Sequence, residues 1–267
     1  MRMRPLLCCL LLISWLMSVQ AMAQSCFDGT WKIDPTESHS QPPAKPDVYL
    51  LQDNTYRCTT CDPPLDIRAD GRDQKITGEP CYDTVSLKVV DDRTTEETDK
   101  RDGKTVGTSR MTVSSGGNSA TVKWTGSCNT NGDVVAEELI LSRETKGPRG
   151  SHAVSGSWQI VKRVNLSENA LVITLKLEGD TFSFADPTGQ SFAAKLDGTE
   201  TPVKGDLSNT MVSVKRIGET TIEETDKQDG KVVEVIRFTP SADGKTMTIS
   251  IANKVKGGTR QLVAHKQ

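Results

Sequence analysis

The sequence predicts an all-β protein made of two tandem copies of an antiparallel up-and-down β-barrel, and three observations carry that expectation. The stretch Glu96-Glu97-Thr98-Asp99-Lys100-Arg101-Asp102-Gly103-Lys104 returns as Glu223-Glu224-Thr225-Asp226-Lys227-Gln228-Asp229-Gly230-Lys231, 127 residues later. The same shift superposes Gly29-Thr30-Trp31 on Gly156-Ser157-Trp158, Asp70-Gly71 on Asp197-Gly198, and residues 85–88 on 212–215, so one register holds without an insertion from 29 to 124. Within each copy the chain is a succession of β-branched, alternating segments, and the expected mature chain holds no helical stripe. Strands that follow one another in sequence order need to hide their edges, and closure into a barrel does that.

The chain opens with Arg2 and Arg4, an apolar run from Pro5 to Met17 and then Ala21-Met22-Ala23, the order of a secretory signal. Residues 1–23 are therefore expected to be a cleaved leader, and the protein periplasmic or secreted. The run is short of the ~20 residues that span a bilayer, so no membrane insertion is expected. Removing the leader takes away two arginines and no acid, which moves the formal net charge from −2 to −4. A weakly acidic chain argues against nucleic acid as a partner.

The repeat divides the rest into a first barrel over 24–145, a linker over 146–152 and a second barrel over 153–267. In the first copy, residues 29–33 alternate around Trp31 and read as a first strand, and the prolines Pro42, Pro43 and Pro46 before Asp47 read as a loop. Val48–Leu51 and Thr55–Cys58 flank the turn residues Asp53-Asn54 and form a hairpin. Short strands follow over 65–68 and 74–77, then regular ones over 84–90, 94–100, 104–113 and 119–125, and a long one over 133–143. Asp102-Gly103 and Asp229-Gly230 read as two-residue hairpin turns whose positive φ matches strand twist. The acids and lysines around them are expected to alternate along the solvated side. A calcium site from Glu96, Glu97, Asp99 and Asp102 is disfavoured by the interleaved Lys100 and Lys104 and by the absence of calcium-loop spacing.

At the start of each copy, Gly29-Thr30-Trp31 and Gly156-Ser157-Trp158 resemble the Gly-x-Trp that opens the lipocalin-type barrel. The chain also resembles uncharacterised exported bacterial proteins with tandem units of this kind. The resemblance implies a lipocalin-like barrel in which Trp31 and Trp158 plug the closed ends. A basic residue from a late strand then lies over each ring: Arg143 in the first copy, His265 or Lys266 in the second. It assigns no reaction.

The expected mature chain keeps Cys26, Cys58, Cys61, Cys81 and Cys128, all in the first copy; the second has Ala153, Ala185, Thr188, Ser208 and Val255 at the shifted positions. In an exported protein the default is disulfide chemistry. Cys58-Thr59-Thr60-Cys61 suits a staple across a turn, with a redox pair or a metal half-site as alternatives. Cys26 before the first strand and Cys128 after a late one are expected to bridge, leaving Cys81 over; the competing arrangement joins Cys81 to Cys58 or Cys61. Lipidation at Cys26 is disfavoured by Gln24.

The three histidines, His39, His152 and His265, fall in loop, linker and tail, and no nucleophile elbow, zinc-protease helix or phosphate loop accompanies them. No catalytic residues, no metal and no cofactor are expected, and the ligand-binding residues are not identified. Two functions remain: a monomeric carrier for a small apolar ligand inside a barrel, or a structural or protein-binding envelope module with filled barrels and no ligand, an envelope protein being its partner in the latter case.

Overall fold

The structure, a computed structural model, describes residues 25–267; the expected leader lies outside the described residues. Twenty strands account for it: β1 (Gly29–Ser40), β2 (Asp47–Gln52), β3 (Thr55–Cys58), β4 (Leu65–Arg68), β5 (Gln74–Lys75), β6 (Thr84–Asp91), β7 (Thr94–Arg101), β8 (Lys104–Val113), β9 (Ser119–Gly126) and β10 (Val135–Lys146) in the first copy. The second contributes β11 (Gly156–Val164), β12 (Val172–Glu178), β13 (Thr181–Ala185), β14 (Ser191–Lys195), β15 (Thr201–Pro202), β16 (Met211–Ile217), β17 (Thr221–Gln228), β18 (Lys231–Pro240), β19 (Thr246–Asn253) and β20 (Thr259–Lys266). One helical turn, a 3-10 turn at Glu168–Ala170, interrupts them among the described residues.

These strands form two ten-stranded antiparallel sheets, each rolled into a nearly closed barrel. The joint in one is Gly71 N–H donating to Leu87 O at 2.8 Å, and in the other Gly198 N–H donating to Val214 O at 3.0 Å, the same atoms one repeat apart. The second joint is reinforced by Ser191 and Lys204, which exchange backbone hydrogen bonds. Each barrel encloses its own apolar core, with Trp158 and Leu141 in the first and Trp31, Phe182 and Phe238 in the second.

The tryptophans reveal a correction to the expected domains. The first barrel is β2 through β11, a continuous meander closed by β11 against β2, with Gly156 opposite Tyr49 and Trp158 opposite Asp47. The second is β12 through β20, closed by β1, which pairs with β12 through Trp31–Ile173 and with β20 through Ile33–Ala264. Neither barrel is therefore a contiguous 24–145 or 153–267 segment: one whole barrel is inserted between the first strand of the other and its remaining nine. Residues 147–155, which contain all of the expected linker but Lys146, are a loop of the first barrel, since β10 and β11 pair with each other. The physical reason lies in residues 41–46, where Pro42, Pro43 and Pro46 keep the chain extended. They carry it from β1 across to β2 in the other barrel instead of turning it back as a hairpin.

Both Asp-Gly turns form as expected, with φ of 50° and 76° at Asp102 and Gly103 and of 49° and 74° at Asp229 and Gly230. The outward ion pairs beside them also repeat: Arg110 with Glu96 and Arg237 with Glu223, then Lys100 with Asp73 and Lys227 with Glu200. Repetition of exposed pairs at one offset reflects common register more than stability, since each contributes little in water.

Candidate functional site: the barrel interiors

At the closed ends, Trp31 and Trp158 are wholly buried, and each indole N–H donates at 2.9 Å to the carbonyl four residues back, Phe27 and Val154 respectively. The Arg143 guanidinium stacks on the Trp158 ring at 3.9 Å and donates to the carbonyls of Gly117, Ala153 and Ser155. Lys266 lies over Trp31 at 5.4 Å. Each cation thus covers the tryptophan of the other repeat, because the first strands have changed barrels. His265 instead faces Glu37 at 3.2 Å on the exterior.

Among the cysteines, Cys58 and Cys61 are bonded across their turn, with α-carbons 5.5 Å apart. The expected Cys26–Cys128 bridge is corrected: Cys128 is bonded to Cys81, and Cys26 is exposed with no cysteine partner among the described residues. Cys26 travels with β1 to the closed end of the second barrel. Cys81, before β6, and Cys128, after β9, meet at the open rim of the first. A bridge closing a loop of 47 residues contributes about 4 kcal/mol by chain entropy. It also marks where the rims meet, for Ser208 Oγ lies 3.4 Å from each of its sulphurs. Ser208 is the counterpart of Cys81 one repeat on, so equivalent positions of the two copies meet here. Nearby, Thr130 N–H donates to Gly205 O at 2.9 Å.

The repeated acidic stretch does not lie wholly on the solvated side. In β7, Glu97 is paired with Leu87 and Asp99 with Val85, both core residues of β6, so these two carboxyls point inward while Glu96 points out. Gly107, opposite Asp99 on β8, supplies the room: a β-carbon there would stand 2.7 Å from Asp99 Oδ2. In β17 the counterparts are Glu224 and Asp226, of which Glu224 is 5% exposed. Three of these carboxyl oxygens, Asp99 Oδ1, Glu224 Oε2 and Asp226 Oδ1, are buried without a hydrogen-bond partner among the described residues. Burial pushes the Glu97 carboxyl up to about 8, with the charge of Asp99 adding to it, and raises Asp99 to about 6, with Glu79 adding to it. Burial, then the charge of Asp226, drives Glu224 well above the carboxylate range, while burial lifts Asp226 itself to about 6.

In the second barrel this pair borders a cavity of about 310 Å³. Phe184, Phe192, Phe238, Val212 and Ile236 form its apolar wall, and Asp206, Ser208 and Thr210 stand on the rim loop that touches the Cys81–Cys128 bridge. Both Asp206 carboxylate oxygens are occupied, accepting from the backbone N–H of Ser208 at 3.0 Å and of Thr210 at 2.8 Å. A groove of about 300 Å³ also runs between the barrels past Pro42, Pro43 and Ile160. Its arginines already have partners: Arg163 with Glu137 at 2.6 Å and Arg260 with Glu234 at 3.5 Å. The interior cavity is where polar groups lack partners, and it is therefore the stronger site.

Sequence reasoning missed Glu224 and Asp226, although a signal was present. Ile222, two residues before Glu224, is wholly buried and marks the inward face of β17. Alternation along the strand then carries Glu224 and Asp226 to the same side. Comparison with family profiles and with curated proteins finds no match for this chain.

Proposed function

We propose that the protein is an exported carrier of lipocalin-like type that holds a small ligand with an apolar body in its second barrel. The observation that carries this reading is the cavity of about 310 Å³ among Phe184, Phe192 and Phe238, with unpartnered carboxyl oxygens at its edge. Its volume stands at the lower end of the ~300–1,000 Å³ typical of small-molecule sites, which favours a single-ring or short-chain compound over a lipid. Export is supported by the signal-like leader and by two disulfides, which persist in oxidising compartments. Among the described residues no helix is long and apolar enough to cross a membrane.

The test is native mass spectrometry of protein purified from its own source, joined to titration with the fluorescent apolar probe N-phenyl-1-naphthylamine. A bound small mass, or probe binding lost when Val212→Trp fills the cavity, supports the carrier. Protein that carries no extra mass and leaves the probe dark is a structural module instead.

A further inference from the structure

We infer that the ligand of the second barrel carries a positively charged nitrogen, an ammonium on an aromatic or alkyl body, held by Glu224 and Asp226. This rests on the carrier reading and says what kind of molecule it carries. Two residues apart on β17, the carboxyls face the same way and are close enough to share a proton. Glu224 Oε2 and Asp226 Oδ1 have no hydrogen-bond partner among the described residues, and a polar atom buried unpaired is unfavourable. None of the 13 residues lining the cavity is Lys, Arg or His. A shared proton serves one acid of the pair at a time, so a cation that serves both has to come from outside.

A bare metal ion fits poorly. Calcium takes about 6–8 oxygen ligands, whereas Asp206 is already engaged by its own loop, and the facing wall is aromatic. An ammonium needs two or three acceptors and can rest its body, and part of its charge, on phenyl faces. Its size also suits the space better than an ion does.

The arrangement implies a proton balance. In the empty cavity the pair retains a proton, chiefly because burial disfavours its charged form, with Glu234 from β18 and Asp206 from the rim loop adding negative charge around it. Arg260 of β20 offsets Glu234 by pairing with it. When R–NH₃⁺ enters, the remaining carboxyl O–H ionises and its proton leaves to solvent, so binding releases protons and strengthens as pH rises from 5 to 7.

Calorimetric titration of the full protein with 2-phenylethylamine, the neutral 2-phenylethanol and the anionic 3-phenylpropionate tests this, at pH 6 in two buffers of different ionisation enthalpy. The amine should bind at least about tenfold tighter than the alcohol, a difference of ~1.4 kcal/mol, with proton release. Glu224→Gln and Asp226→Asn should erase that preference while alcohol binding persists and the melting temperature does not fall. Equal binding of amine and alcohol overturns the ammonium assignment and leaves the carrier standing. Failure of all three ligands to bind also overturns it, and mass spectrometry and the naphthylamine probe then decide separately on the carrier. Calcium binding lost in Glu224→Gln, with no binding of the amine, overturns it in favour of a metal site.

Discussion

Each barrel buries two acids that its own stability would be better without, and the sign of their effect can be worked out. Glu97 is raised to about 8 and Asp99 and Asp226 to about 6, while unfolded carboxylates titrate near ~4. Between those limits the folded chain holds more protons than the unfolded one, so stability is lost as pH rises through the window from about 4 to about 8. Surface aspartates work in the opposite sense at lower pH; Asp91, for example, is held low chiefly by the Arg93 backbone N–H. The melting temperature should accordingly be highest near pH 5 and fall by pH 8. Glu97→Gln should raise stability at pH 8 by on the order of 2 kcal/mol, and much less at pH 5. Calorimetry at both values checks this, and a flat profile with no gain from the amide would place Glu97 in water.

At the scale of the strand, the sequence was legible wherever local chemistry decides. Asp102-Gly103 and Asp229-Gly230 could be read directly because few residue pairs accept two successive positive φ values, and Gly103 and Gly230 have nothing near the place of a β-carbon. Gly103→Val and Gly230→Val are therefore strained by backbone alone, and each should destabilise its own barrel by about 1 to 3 kcal/mol. Two unfolding transitions that shift one at a time would confirm the assignment; unchanged melting of both variants would refute it. The facing of β7 was not legible in this way. Its residues, Thr94-Thr95-Glu96-Glu97-Thr98-Asp99, offer polar side chains to both faces, so alternation alone names no inner side. Long-range pairing with Val85 and Leu87 decides it. Only the repeat, by setting Ile222 at the place of Thr95, carried the answer in the sequence. The cysteine pairing failed for a related reason: Cys26 goes with β1 to the other barrel, and Cys128 is left to Cys81.

The whole molecule turns on that ownership, and the two copies could not announce it. β1 and β11 open with nearly the same residues, Gly-Thr-Trp and Gly-Ser-Trp, so either strand meets the pairing needs of either barrel. Connection decides the matter. Residues 147–155 let β10 turn straight into β11, whereas the prolines of 41–46 lead β1 away from β2. All ten strands of the first barrel, both disulfides and the Arg143–Trp158 stack therefore fall within residues 45–164. That segment, expressed alone in an oxidising compartment, should fold as a monomeric barrel with a cooperative thermal transition and the near-ultraviolet circular dichroism of a rigid, buried Trp158. Residues 24–145 keep nine of those strands and lack β11; closing the barrel would require β1 to return past Pro42, Pro43 and Pro46. That fragment should be less stable, and adding a peptide of residues 153–166 should restore its tryptophan signal by filling the gap between β10 and β2. The reverse result, a stable 24–145 indifferent to the peptide beside an unfolded 45–164, would return β1 to the first barrel. It would also separate the two tryptophans from the cations now stacked on them.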